Sequence, residues 1–213
     1  DHQTNPTIAP YAKAAEVTLR VTASATDKNQ ADALIQGMVD QILAIDGEYF
    51  YGYGDDNTLA SVVVNQLIDR KLSVTAAESL TAGEFQSTIG SVPGVSAVFP
   101  GGFVTYANEA KHQLLSIPAE VIKTQGVVSK STAIWMAQQA KAKMQTDIAV
   151  SFTGVAGPDK LEGQPAGTVW IGIAYRDEEP KAFLYHFTNG RQRIRARSVM
   201  AGLDLIRRRL AVH

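Results

Sequence analysis

Ser79 is the first residue whose type and position could support chemistry. It follows a strand predicted at 72–77 and precedes Thr81 and Glu84, whose T-x-x-E spacing predicts the capping box of a helix. A hydroxyl in such a strand-to-helix turn faces free backbone N–H groups and the positive end of the helix, which suits an anion or an oxyanion. Position alone nevertheless favours an ordinary turn serine, because no G-x-S-x-G motif surrounds it.

Lys111 is the second candidate, and it follows a predicted strand that ends near Tyr106. Asn108 would cap the next helix and place Lys111 in its first turn, where a cation is electrostatically disfavoured. Either this mismatch has a small cost at the surface, or the ammonium pKa is lowered so that the amine can act as a base. Spacing alone favours the surface lysine, which is the commoner case.

Two further segments could bind a ligand. Thr153 and Gly157 lie in a glycine-rich segment that leaves a buried strand and lets a ligand approach backbone amides, although it lacks the ending of a P-loop. Arg191 and Arg195 are four residues apart at the start of the last helix and share one face. Two guanidinium groups on one face suit a phosphate or a carboxylate, and a solvated helix face is an equally good interpretation.

The composition of the 213-residue chain excludes several classes of function. It has no cysteine, which excludes disulfides, thiolate metal sites and a cysteine nucleophile, and its four histidines lack metal-ligand spacing. Lys and Arg number 20 against 21 Asp and Glu, so no global basic field attracts nucleic acid. No apolar run approaches the ~20 residues that span a membrane. We therefore expect a cytoplasmic protein that binds no metal, nucleic acid or membrane.

The pattern of residues 1–56 predicts a small α+β module. Because the chain begins at Asp1 rather than at a Met, we expect it to be part of a longer protein or a trimmed one. The predicted elements are an extended lead-in at 1–14, a strand at 16–26, a helix from Asp27 to Gly47 and a strand at 49–51. The module is too small to be very stable by itself.

Residues 57–213 predict a larger α/β domain, because helical and strand patterns interleave along them. Helices are predicted at 58–70, 82–89, 108–115, 118–125, 130–145 and 191–210. Strands are predicted at 72–77, 102–106, 147–153, 167–175 and 181–187, the last two as a hairpin. This order predicts a layered mixed sheet that is flanked by helices.

Five motifs in this order resemble the C-terminal domain of the CinA (competence/damage-inducible) family. They are Ala77–Gly83 (AESLTAG), Gly102–Lys111 (GFVTYANEAK), Gly126–Ser129 (GVVS), Gly154–Pro158 (GVAGP) and Pro165–Trp170 (PAGTVW). The resemblance covers about residues 57–210. Residues 5–13 and 52–56 also look like the middle, KH-type domain of full-length CinA proteins, whose N-terminal molybdopterin-binding-like domain would then precede Asp1.

The resemblance implies hydrolysis of the carboxamide of nicotinamide mononucleotide (NMN) to nicotinic acid mononucleotide and ammonia, without a cofactor. The family's nucleophile would be Ser79, and its tyrosine and lysine would be Tyr106 and Lys111. The substrate-binding residues that we expect are Ser96, Thr81, Gly83, Thr153, Gly157, Arg191 and Arg195. The family also suggests a homodimer.

One position departs from the family pattern, because Ala82 stands where a second glycine usually follows the threonine. If the glycine lets a backbone approach closely, the added methyl group narrows the site, whereas in a first helical turn alanine is harmless. Two alternatives to the enzyme stay open. One is a catalytically inactive regulatory or protein-interaction module, and the other, an RNA-binding module, lacks a G-x-x-G motif in residues 15–55.

Overall fold

The computed structural model describes residues 4–13 and 15–211, and the chain divides into two compact units, Asp1–Asn57 and Thr58–His213. The helices are α1 (Lys28–Asp46), α2 (Leu59–Arg70), α3 (Glu84–Gly90), α4 (Asn108–Leu115), α5 (Ala119–Gln125), α6 (Lys130–Met144) and α7 (Arg191–Ala211). The strands are β1 (Thr7–Ala12), β2 (Val17–Thr22), β3 (Val74–Glu78), β4 (Phe103–Val104), β5 (Ile148–Gly154), β6 (Thr168–Tyr175) and β7 (Lys181–His186). None of these described helices is long and apolar enough to cross a bilayer.

The first unit consists of an antiparallel hairpin of β1 and β2 followed by α1. The prediction of α1 is confirmed, since Asp27 accepts a hydrogen bond from the Gln30 N–H and the helix ends at Asp46 with Gly47 as its C-cap residue. The lead-in prediction was wrong, because part of it forms β1. Pro10 is tolerated there because a two-stranded ribbon leaves each strand with an unpaired edge.

The prediction of a strand at 49–51 was also wrong. Residues Gly47–Tyr49 form a 3-10 turn that continues from α1, and no strand follows it before α2. Phe50 has extended backbone angles, but the described residues offer it no neighbouring strand to pair with, and aromatic residues favour strands only where such neighbours receive them. The order in this unit is therefore strand, strand, helix rather than strand, helix, strand.

The second unit contains a five-stranded sheet, and the prediction of a mixed sheet flanked by helices is confirmed. The strand order is β4-β3-β5-β6-β7. β3 pairs in parallel with β4 and β5, whereas β5–β6 and β6–β7 are antiparallel. Both faces are covered by helices. The Ser151 hydroxyl on β5 donates to the Ala133 carbonyl of α6, while Gly202 of α7 lies against the Phe152 ring on the opposite face. The fold is therefore a layered α/β structure.

The carboxyl ends of β3 and β5 position the candidate site. All five residues of β3 are buried, and Glu78 at its end lies opposite Phe152 of β5. Because these strands are parallel, the turns that follow Glu78 and Gly154 emerge at the same edge of the sheet. The start of α4 reaches the same edge, since β4 pairs with the end of β3.

Candidate active site

Ser79 and Lys111 meet in the structure although 32 residues separate them in the chain. The Lys111 Nζ atom lies 3.0 Å from the Ser79 Oγ atom, within hydrogen-bond distance. Ser79 is 8% exposed and Lys111 is fully buried. A serine hydroxyl in direct contact with an amine is the geometry of a nucleophile and its base.

The burial of Lys111 makes its amine easier to deprotonate than that of an ordinary lysine. Its Nζ atom also contacts the carbonyl oxygens of Thr105 at 2.8 Å and Tyr106 at 3.3 Å. A neutral amine that donates to these two carbonyls presents its lone pair to the Ser79 hydroxyl. Burial lowers the pKa of Lys111 to about 8, although the negative charges of Glu162 and Glu109 act in the opposite direction.

Tyr106 lines the same cleft as Ser79 and Lys111, but its phenol forms no hydrogen bond with either residue. Its hydroxyl instead accepts a hydrogen bond from the Arg191 guanidinium at 2.8 Å, and the side chain is 54% exposed. The geometry therefore gives no support to Tyr106 as a proton relay between Lys111 and Ser79. The backbone carbonyl of Tyr106 orients the amine, and its phenolic O–H is left to donate to a ligand.

The turn that carries Ser79 is held by Glu78, a buried carboxylate that the capping and spacing patterns did not indicate as functional. Its carboxylate oxygens accept hydrogen bonds from the backbone N–H groups of Gly83 at 3.0 Å, Phe85 at 3.1 Å and Gln86 at 2.9 Å. The predicted capping box of Thr81 and Glu84 was therefore wrong: Gly83 is the N-cap residue of α3. The sequence signal was a carboxylate at the end of a strand that has no other charged residue.

Glu78 also changes which amides could stabilise an oxyanion. The amides at the start of α3 are occupied by its carboxylate, so they cannot serve as we expected. Within the described residues, the N–H groups of Leu80 and Thr81 have no acceptor, and Leu80 lines the cleft. The amide that follows a nucleophile is well placed to stabilise negative charge on the attacked carbonyl.

Ala82 adopts a left-handed conformation, with φ of 49°, and Gly83 follows with φ of 89°. The expectation that Ala82 lies in the first helical turn was wrong, because the residue lies in the turn before α3. An alanine in this region of backbone space is strained, since its Cβ crowds the following carbonyl oxygen. The turn that presents Ser79 is therefore held in a conformation that glycine would adopt more easily.

A cleft of about 220 Å³ lies over the Ser79–Lys111 pair. Of the predicted site residues, it brings together Ser79, Tyr106, Lys111, Thr153, Gly157 and Arg191. Arg191 lies at this cleft and donates to the Gly157 carbonyl at 3.0 Å as well as to Tyr106. Thr153 is almost fully buried, and its hydroxyl donates to the Val127 carbonyl at 2.6 Å, so its visible role is to hold that segment.

Four predicted substrate-binding residues do not line this cleft: Thr81, Gly83, Ser96 and Arg195. Thr81 is fully buried, and Arg195 donates to its carbonyl at 2.7 Å and pairs with Glu84 at 3.2 Å. Ser96 is exposed on a 3-10 turn near the amino end of β3, where the Val98 carbonyl accepts from the Val74 N–H. Arg191 and Arg195 therefore have different partners despite their helical spacing.

Within residues 4–13 and 15–211, no cluster of three or more His, Cys, Asp or Glu side chains could hold a metal ion. The chemistry that the cleft can perform follows from its own groups. These are a serine hydroxyl, an amine of lowered pKa, a phenol, free backbone amides and a guanidinium group at the cleft. Such a set can transfer an acyl group through serine.

Comparison with known proteins agrees with this architecture. A model of the CinA C-terminal domain matches residues 56–210, and a model of the damage-inducible protein CinA KH domain matches residues 1–52. A protein of Lactiplantibacillus plantarum named as a competence-damage inducible protein is 63% identical over 210 residues, covering 99% of this chain and 50% of its own length. A protein of the same name from Listeria monocytogenes is 45% identical over 206 residues, covering 97% and 50%. The chain thus spans about half the length of the curated relatives it matches.

Solved structures show the same fold. The crystal structure of a competence-damaged protein (CinA) superfamily protein from Klebsiella pneumoniae has a TM-score of 0.70 and 29% identity, covering 73% of this chain and 97% of its own. The competence/damage inducible protein CihA from Agrobacterium tumefaciens has a TM-score of 0.68 and 32% identity, covering 70% and 92%. On these matches, this chain belongs to the CinA family.

Proposed function

We propose that this chain hydrolyses the carboxamide of NMN to nicotinic acid mononucleotide and ammonia. The observation that carries the proposal is the 3.0 Å contact between Lys111 Nζ and Ser79 Oγ, in a cleft that buries the amine. The choice of NMN rests on the family resemblance. The site supports an acyl transfer from an amide, because a nucleophile, its base and free backbone N–H donors lie together.

In the first step, the Ser79 hydroxyl gives its proton to the Lys111 lone pair, and Oγ bonds to the carboxamide carbon. The backbone N–H of Leu80 stabilises the developing oxyanion, and one such donor is typically worth about 3 kcal/mol. The protonated amine then returns its proton to the leaving nitrogen, the C–N bond breaks, and ammonia departs. A nicotinoyl ester on Ser79 remains.

In the second step, water attacks the ester while Lys111 accepts its proton. The C–O bond to Oγ breaks, the proton passes from Lys111 to the serine oxygen, and the carboxylic acid product leaves and loses its own proton to water. All groups in this scheme are side chains or amides of this chain together with the substrate and water, so it uses no cofactor. Arg191 is the cation at the cleft that could bind the 5′-phosphate, because its guanidinium lies beside Gly157 and Tyr106.

Ser79→Ala tests the proposal. Purified wild type, Ser79→Ala and Ser91→Ala are supplied with NMN, and ammonia is followed in a coupled assay. Ser91 is an exposed serine at the end of α3, so Ser91→Ala is a matched control for the substitution. We expect loss of at least about 10³-fold in kcat for Ser79→Ala and wild-type turnover for the control.

Two outcomes contradict the proposal. Unchanged turnover in Ser79→Ala would show that Ser79 is not the nucleophile. A wild-type protein that releases no ammonia from NMN would refute the amidase proposal and favour the non-catalytic alternative. The homodimer that the family suggests is tested separately by light scattering on the eluting peak of a sizing column. A mass of one chain, 22.9 kDa, would contradict it.

A further inference from the structure

The cleft loop, residues 155–167 between β5 and β6, forms one wall of the cleft and contributes Gly157, Asp159 and Leu161 to its lining. Its first half is held by Arg191, which donates to the Gly157 carbonyl at 3.0 Å. Its second half, residues 160–167, returns the chain to β6. The wall can be defined for a ligand only if this half is also held.

The second half of the cleft loop ends in a tight two-residue turn. Leu161 and Gln164 exchange backbone hydrogen bonds of 3.1 Å and 2.9 Å across it. The two residues between them are both left-handed, with φ of 51° at Glu162 and 76° at Gly163. Glycine suits this position, but glutamate does not, so something other than local preference keeps Glu162 there.

The segment that faces this turn is the α6 leader, residues 126–128. It is itself firmly hydrogen-bonded, because the Gly126 carbonyl accepts from the Thr132 hydroxyl at 2.7 Å and the Val127 carbonyl accepts from the Thr153 hydroxyl at 2.6 Å. Val127 and Val128 are buried and line the cleft. The α6 leader is therefore a rigid support beside the site.

The Glu162 carboxylate joins the turn to this support. Its Oε2 atom accepts hydrogen bonds from the backbone N–H groups of Val127 at 2.8 Å and Val128 at 3.3 Å. Gly126 makes room for the contact, since a Cβ atom built at that residue, whose φ is 83°, would lie 2.7 Å from Oε2. A left-handed glutamate, a glycine that leaves space and two converging N–H groups together form a built carboxylate site.

We propose that Glu162 is a positioning residue, whose carboxylate anchors the cleft loop to the α6 leader and thereby shapes the wall that binds the substrate. The inference deepens the proposed amidase function and rests on it for its effect on substrate affinity. The anchor itself is a structural contact that can be measured without turnover. Its loss leaves the Ser79–Lys111 pair intact, because neither residue contacts Glu162 directly.

A charge effect must be separated from anchoring, because the negative charge of Glu162 also acts on the Lys111 amine. Glu109, on α4, acts on Lys111 in the same direction and lies outside both the cleft loop and the cleft lining. The matched pair is therefore Glu162→Ala and Glu109→Ala. Both remove one negative charge near Lys111, and only the first removes the anchor.

The first measurement is amide hydrogen exchange at Val127 and Val128 by NMR, in wild type and both variants. We expect exchange at least about tenfold faster in Glu162→Ala, because a hydrogen bond to a charged acceptor is lost, and wild-type exchange in Glu109→Ala. Exchange within twofold of wild type in Glu162→Ala, or equal acceleration in both variants, would overturn the anchor. This readout is independent of whether NMN is the substrate.

The second measurement is steady-state turnover of NMN. We expect KM to rise at least about fivefold in Glu162→Ala with kcat within threefold of wild type, and KM to stay within twofold in Glu109→Ala. A fall in kcat at constant KM would contradict a role in shaping the wall. A wild type without turnover would refute the amidase proposal, and the exchange result would still decide the anchor.

If Glu162→Ala does not fold, Gly126→Ala provides an independent route, because its Cβ would displace Oε2 while the carboxylate remains on the loop. We expect the same faster exchange at the two valine amides in this variant. Amides that stay as protected as in wild type would show that the carboxylate does not depend on the space at Gly126, and would overturn the proposed site.

Discussion

Replacing Lys111 by methionine removes a buried amine whose ionisation differs between the folded and the unfolded chain. Burial lowers its pKa to about 8 in the folded protein from an ordinary value of 10.5. Between these two values the unfolded chain holds a proton that the folded protein has released, so raising the pH disfavours unfolding. Wild type should therefore gain about 2.5 kcal/mol of stability from this group between pH 7 and pH 10.

The assay is urea denaturation of wild type and Lys111→Met at several pH values across this range. The difference in unfolding free energy between the two proteins cancels the contributions of the other titrating groups. We expect this difference to move in favour of wild type by about 2.5 kcal/mol as the pH rises, and Lys143→Met, at an exposed lysine on α6, to show no such change. A difference that changes by less than about 0.5 kcal/mol would refute the lowered pKa, and with it the neutral base.

The same ionisation predicts how turnover depends on pH. With a pKa of about 8, roughly one Lys111 amine in ten is neutral at pH 7 and about nine in ten at pH 9. Because only the neutral amine can accept the Ser79 proton, kcat/KM should rise about tenfold over this range. A profile that is flat, or that falls, between pH 7 and pH 9 contradicts the assignment of Lys111 as the base.

Two further substitutions follow from the geometry. Ala82→Gly should raise the free energy of unfolding by about 0.5–1 kcal/mol in urea denaturation. Relief of the strain at φ of 49° outweighs the extra backbone entropy that glycine gives the unfolded chain. A destabilised variant would show that Ala82 is not strained. Arg191→Ala should raise KM for NMN about tenfold or more, with Arg193→Ala, at an exposed residue of α7, as the control. Nicotinamide riboside lacks the phosphate, so an equal rise in KM for the riboside would exclude phosphate binding by Arg191.

Helices with strong local signals were predicted well from the sequence. The helix after Asp27 and the helix after Ser129 both begin at a side chain that accepts a backbone N–H three residues later, a signal contained within four residues. The signal at Thr81 has the same spacing and was misleading. A cap at Thr81 would need the amide of Gly83 or Glu84. The Gly83 amide donates to Glu78, a buried carboxylate from the preceding strand, and the Glu84 amide donates to the Thr81 carbonyl.

The candidate site was predictable only as a set of separate residues. Periodicity and capping placed Ser79 and Lys111 near element boundaries but favoured ordinary roles for both, and the family resemblance supplied the pairing. The spacing of Arg191 and Arg195 suggested one shared ligand, whereas tertiary contacts give them different partners on different segments. Helical spacing specifies a shared face and not what lies opposite that face.

Short-range patterns of apolar, capping and motif residues were enough to predict the α/β class of the larger unit, most of its helices and strands, and the family. Those patterns could not predict that an amine and a hydroxyl meet at 3.0 Å, that a phenol faces an arginine, or that Glu162 reaches the segment before α6. Contacts of this kind join residues distant in the chain, and a lowered lysine pKa follows from burial that no local pattern encodes.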